Sequence, residues 1–154
     1  MNRDETADES EGLASAQDGA PDRTPGDPVI VSVCVTCRSM TEAGETKFGP
    51  PLIDALQAAL ATGNTGVVVR PVECLGVCKR PLTVAVSGPD GYTFVFGDLE
   101  AGAGAAALAA FVQSYRDADY GFVPWRERPA VLRRGLVARL PPAAWSPADG
   151  KPPA

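Results

Sequence analysis

Four cysteines in two tight pairs constrain this chain more than any other feature. They stand as Cys34-x2-Cys37 and, 36 residues later, Cys74-x3-Cys78, with no cysteine elsewhere. Each pair follows a run of β-branched residues. Val29-Ile30-Val31-Ser32-Val33-Cys34-Val35 reads as a strand buried on both faces. Val67-Val68-Val69-Arg70-Pro71-Val72 reads as a second strand, and Pro71 puts its end at a sheet edge or off the ladder. Between them Pro50-Pro51 opens a helix with Leu52, Ile53, Leu56, Ala59 and Leu60 on one face, stopped by Gly63. A strand–helix–strand unit implies two parallel strands. Their C-terminal ends then lie side by side, so the two distant pairs meet at one end of a sheet. Four thiolates in one place are a metal signal.

The rest of the chain completes a small domain. Residues 38–49 are polar, contain two glycines and read as a loop. Leu82-Thr83-Val84-Ala85-Val86 and Tyr92-Thr93-Phe94-Val95-Phe96 flank the turn Pro89-Asp90-Gly91 and read as a hairpin. Gly97-Asp98 ends it, with Asp98 expected to cap the next helix. That helix is predicted over residues 101–116, with Leu108, Phe111, Val112 and Tyr115 along one stripe. The expected fold is α/β: a β-α-β-β-β-α mixed sheet with helices packed on it. Residues 28–116 form this domain. Residues 117–142 read as an irregular basic and aromatic extension with a helical turn near Ala130 to Gly135, and 143–154 as a flexible Pro- and Ala-rich tail.

Composition excludes whole classes of chemistry. The 154 residues include no histidine. A Ser-His-Asp triad, a Cys-His protease pair, a Rieske centre and a two-Cys two-His zinc finger are therefore all impossible. Metal ligands must be thiolates or carboxylates. The net charge is −5, which gives no electrostatic reason to expect nucleic acid. The acidity is local: residues 1–27 hold eight acids against two bases. With Leu13 as the one large apolar residue after Met1, this tail is expected to be disordered. It lacks the apolar stretch of a secretory signal, and no run approaches a membrane span. The expected setting is the cytoplasm, away from membranes, where cysteines are reduced, metal-bound or redox-active.

Several chemistries fit the cysteine pattern. Cysteines can pack as small buried hydrophobes or form a disulfide framework, but two tight pairs with no secretory signal favour neither. Structural zinc takes four thiolates in a tetrahedron. A dithiol oxidoreductase would use Cys34 and Cys37 alone. An iron–sulfur cluster needs four thiolates with backbone N–H groups near its sulfurs. A Cys-x3-Cys loop with Gly76 suits the last, because glycine turns with φ > 0 and allows close approach.

The segment Glu73-Cys74-Leu75-Gly76-Val77-Cys78-Lys79-Arg80-Pro81, followed by a hairpin, resembles the second cluster motif of thioredoxin-like 2Fe–2S ferredoxins and of a respiratory NADH dehydrogenase subunit. The β-α-β-β-β-α order is similar as well, over roughly residues 28–116. The longer pattern adds Cys34-x-Thr36-Cys37-Arg38, Phe96-Gly97-Asp98-Leu99 and Val123-Pro124-Trp125-Arg126. It resembles a bacterial family described as a predicted metal-binding protein, over about 28–141. The resemblance implies a thioredoxin-like domain, one 2Fe–2S cluster ligated by Cys34, Cys37, Cys74 and Cys78, and one-electron transfer rather than stand-alone catalysis. The first pair is more closely spaced here than in well-known members, which leaves zinc in the same four thiolates open. The resemblance also implies a cis-proline kink at Pro81. Arg38, Arg70, Lys79 and Arg80 adjoin the cysteine loops and are expected to tune the cluster or dock an acidic redox partner protein. A homodimer is a further arrangement left open. Either Trp125, Arg126, Arg128, Arg133 and Arg134 bind a small anion or a partner, or Trp125 pins the extension to the sheet.

Overall fold

The computed structural model describes residues 27–41, 44–63 and 66–143. The tail expected over 1–27 lies outside the described residues up to residue 26, and the final tail lies outside them from residue 144. The first predicted strand is β1, Val29–Cys34. A hairpin follows, β2 (Arg38–Thr41) and β3 (Gly44–Lys47). Then come α1 (Gly49–Leu60), β4 (Val67–Val72), β5 (Val84–Ser87), β6 (Thr93–Phe96) and α2 (Ala101–Asp117). Two 3-10 turns, the short helix α3 (Ala130–Arg134) and strand β7 (Leu136–Leu140) complete the chain.

The β-α-β-β-β-α order is present, forming a mixed sheet in the order β4-β1-β5-β6-β7. β1 pairs with β4 in parallel and with β5 antiparallel, so its ladder is complete on both sides. Alternation decides which face is covered. Val29, Val31 and Val33 of β1, Val84 and Val86 of β5, and Phe94 and Phe96 of β6 are all buried. Phe111 of α2 meets Phe94 and Phe96 edge to face at 5.1 Å. Leu52, Leu56 and Leu60 are the buried stripe of α1, which packs against α2. β4 is an edge strand, where Pro71 removes a donor the sheet does not need.

Three expectations change. Residues 38–47 are not a loop but a two-stranded hairpin separate from the main sheet. Its strands, Arg-Ser-Met-Thr and Gly-Glu-Thr-Lys, carry no alternating apolar pattern, so periodicity is blind to them. The extension is not irregular throughout, because Leu136–Leu140 adds to the sheet beside β6. This fifth strand forms only because β6 already offers an unpaired edge. Asp98 does not cap α2: the N-cap is Glu100, with no side-chain cap bond. Asp98 instead takes φ 57 and pairs with Arg80.

Candidate metal centre

The parallel pairing of β1 and β4 ends with Cys34 opposite Val72. Val35 N–H then donates to Val72 O at 2.9 Å, and the next residues of β4's loop are Glu73 and Cys74. The Cys34 thiol donates to Glu73 O at 3.6 Å, and the Thr36 hydroxyl donates to the same carbonyl. The first cysteine loop is thus tied to the start of the second.

Gly49 makes room for this end of the sheet. A Cβ there would lie 2.4 Å from Cys34 O and 2.7 Å from Val35 Cα. Only glycine lets the start of α1 cross so close to the backbone that presents Cys34.

A second tie runs through Thr83, which is fully buried. Its hydroxyl donates to Arg80 O at 3.2 Å, and the Cys37 thiol reaches its Oγ1 at 3.9 Å. Thr83 therefore links the first pair to the chain just past the second. Nothing in the sequence marks it, since a threonine at a strand start reads as ordinary β propensity.

The pairs differ in exposure. Cys34 and Cys37 are buried, whereas Cys74 and Cys78 are exposed. The sulfurs of Cys74 and Cys78 stand 3.8 Å apart. Two thiolates bonded to one tetrahedral metal at about 2.3 Å stand about 3.8 Å from each other. Gly76, at φ +77, turns its N–H onto Cys74 Sγ at 3.2 Å. A residue with a Cβ would resist that left-handed conformation.

The electrostatics mark Cys34. Burial pushes its thiol up, but hydrogen bonds from the Thr36 hydroxyl, the Cys37 thiol and the backbone N–H groups of Thr36 and Leu75 outweigh it. The result is a pKa lowered from 9.0 to about 7. Cys37 is pushed up by its own burial and by its bond to Cys34. Cys78 is pushed up by its bond to Cys74, by the charge there, and further by the charge at Cys34. That last effect spans the two pairs.

Among the described residues, no three cysteines and carboxylates gather closely enough around one point to hold a single ion. What the fold assembles is two pairs, side by side. Thiolate pairs with backbone donors on their sulfurs fit a two-iron cluster, each iron taking two cysteines.

The expected neighbours fall in different places. Arg38 and Lys79 are exposed. Arg70 donates from Nε to Ser32 Oγ at 3.2 Å, toward the sheet. Arg80 is held by Asp98 and by the carbonyls of Arg134 and Leu136. The cis peptide bond at Pro81 is the one that follows it, Pro81–Leu82, rather than the one before it. In the extension, Trp125 is 59% exposed and stacks under Arg133. It does not pin the extension to the sheet; the buried Val123, Arg128 and Leu132 do.

A solved thioredoxin-like [2Fe-2S] ferredoxin from Aquifex aeolicus is similar over 76% of this chain and 97% of its own, at 18% sequence identity and a TM-score of 0.48. No curated protein matches. Residues 31–142 match the family described as a protein of unknown function, DUF1636, and the chain belongs to that family.

Proposed function

We propose that this is an iron–sulfur protein that carries single electrons. One 2Fe–2S cluster would be held by Cys34 and Cys37 on one iron and by Cys74 and Cys78 on the other. The meeting of two thiol pairs at the ends of β1 and β4, one of them already at 3.8 Å, carries this reading. Bound there, the cluster supplies one-electron chemistry, and the chain's own residues set its conditions. The N–H groups of Gly76, Thr36 and Leu75 donate to the sulfurs of Cys74 and Cys34 and stabilise negative charge there. The buried pair keeps water from one side. The exposed pair faces the surface, where an electron can pass to a partner. That partner is a redox protein, and Lys79 beside Cys78 favours an acidic surface on it. The setting is a compartment that keeps thiols reduced, the cytoplasm.

Zinc in the same four thiolates would require all four to close around one ion. A dithiol oxidoreductase would need an accessible nucleophile, and Cys34 is 1% exposed. Anaerobic purification followed by iron, zinc and sulfide analysis tests the proposal. The expected result is a red-brown protein with about two irons and about two sulfides per chain. A colourless protein holding one zinc, unchanged by anaerobic reconstitution with iron and sulfide, overturns it.

A further inference from the structure

Toward the opposite edge of the sheet, two arginines lie over neighbouring aromatic rings. Arg128 is 3% exposed, and its Nε–H donates to Val123 O at 2.9 Å. Its Cζ lies 5.1 Å from the centre of the Phe94 ring. No ion pair and no further hydrogen bond engages this guanidinium among the described residues. Among the described residues no side-chain nitrogen sealed from solvent goes unpaired, so Nη1 and Nη2 keep some solvent contact. Arg139, opposite Phe94 in the β6–β7 ladder, is exposed and lies over Phe122 at 4.7 Å and Tyr92 at 5.8 Å. Tyr92 and Phe122 meet edge to face at 5.2 Å, and Tyr92 lies 6.5 Å from Phe94. Two guanidiniums thus share one aromatic platform, with no carboxylate of the described residues in an ion pair with either.

A buried charge is costly unless it is paired. Ring faces offset part of that cost, but they leave the outward N–H groups of a planar fork to solvent alone. Each cation also raises the cost of the other: burial and the charge of Arg139 both push the Arg128 pKa down. A ligand with one planar or tetrahedral oxyanion relieves both at once. It would accept a forked pair of hydrogen bonds from Arg128 and a charge contact from Arg139.

We propose that Arg128 and Arg139 form an oxyanion-binding site, for the carboxylate or phosphate group of a small molecule, on the face made by Tyr92, Phe94 and Phe122. The site is independent of the cysteines and stands whether or not they hold a cluster.

Isothermal titration of the full chain tests it, with sodium acetate and sodium phosphate as probes at ionic strength fixed by chloride. One saturable site per chain is expected. The tighter probe identifies the group, carboxylate or phosphate. Arg139→Gln, at an exposed position, should weaken binding at least tenfold. Arg133→Gln, which removes a cation stacked on Trp125 instead, should leave it unchanged. The melting temperature of the wild type should rise to a plateau with the anion, and that of Arg139→Gln should not. Heat that never saturates with either probe, or an Arg139→Gln protein that binds like the wild type, overturns the proposal.

Discussion

Arg80 donates from Nε to Asp98 Oδ2 at 2.8 Å, joining the Cys74–Cys78 loop to the turn that follows β6. The pair is partly solvated, at 35% and 53% exposure, so its Coulomb energy alone is modest. The bonds to Arg134 O and Leu136 O extend the tie to the start of β7. Arg80→Ala should therefore lower stability by about 1 kcal/mol, a fall of about 3 °C in melting temperature. Because Asp98 already offsets its charge, the same change should move the reduction potential less than Lys79→Glu does. Lys79→Glu should lower the potential, since reduction adds negative charge beside it. Protein-film voltammetry of the two variants checks this, and a larger shift in Arg80→Ala would contradict it.

With the cluster held as proposed, Cys78→Ser would leave one iron a thiolate short. Iron content should fall to less than half that of the wild type, and the melting temperature should drop by more than for any surface change, because a bound metal centre stabilises a small core. Iron analysis and thermal melts of the purified variant are the check. Full iron with wild-type stability would remove Cys78 from the ligand set.

Gly49→Ala replaces none of the four cysteines, yet it should damage the site. Its Cβ would meet the backbone of Cys34 and Val35, which cannot rotate away as a side chain could. A loss of about 3 kcal/mol or more is expected, with reduced iron loading. Gly102→Ala in α2 is the contrast. It meets nothing within 4 Å and should stabilise by about 0.5–1 kcal/mol, as glycine is a poor helix former. Denaturant unfolding of both variants reads the difference.

The metal-free, reduced protein should become more stable as pH rises from about 6 to 9. Cys34 ionises near 7 in the folded chain against an ordinary 9.0, so the folded state binds fewer protons in that window. This contribution is complete above 9 and is lost as pH falls through 7. Cys37 and Cys78 are shifted upward, so their opposing effect begins only above 9. With no histidine in the chain, none masks the trend. Thermal melts across this range should show the slope in the wild type and lose most of it in Cys34→Ser.

The sheet's core, and the end of it that holds the cysteines, were legible in the residues alone. β1, α1, β5, β6 and α2 each bury a stripe or face of their own, and β4 half-buries Val67 and Val69. Hydrophobic periodicity records that burial residue by residue, as at Val29, Val31 and Val33 or Leu52 and Leu56. The parallel crossover then forces Cys34 and Cys74 to one end of the sheet. Features without a local signature came from packing. The β2–β3 hairpin rests on backbone bonds between polar strands, and β7 rests on an edge that β6 supplies. Asp98 was free to cap α2 by its chemistry, but the nearby guanidinium of Arg80 captured it. Thr83 became the link between Cys37 and the second loop, and Arg128 a buried cation with no ion pair among the described residues. Each of these roles depends on residues distant in sequence arriving within a few ångströms, which neither composition nor spacing encodes.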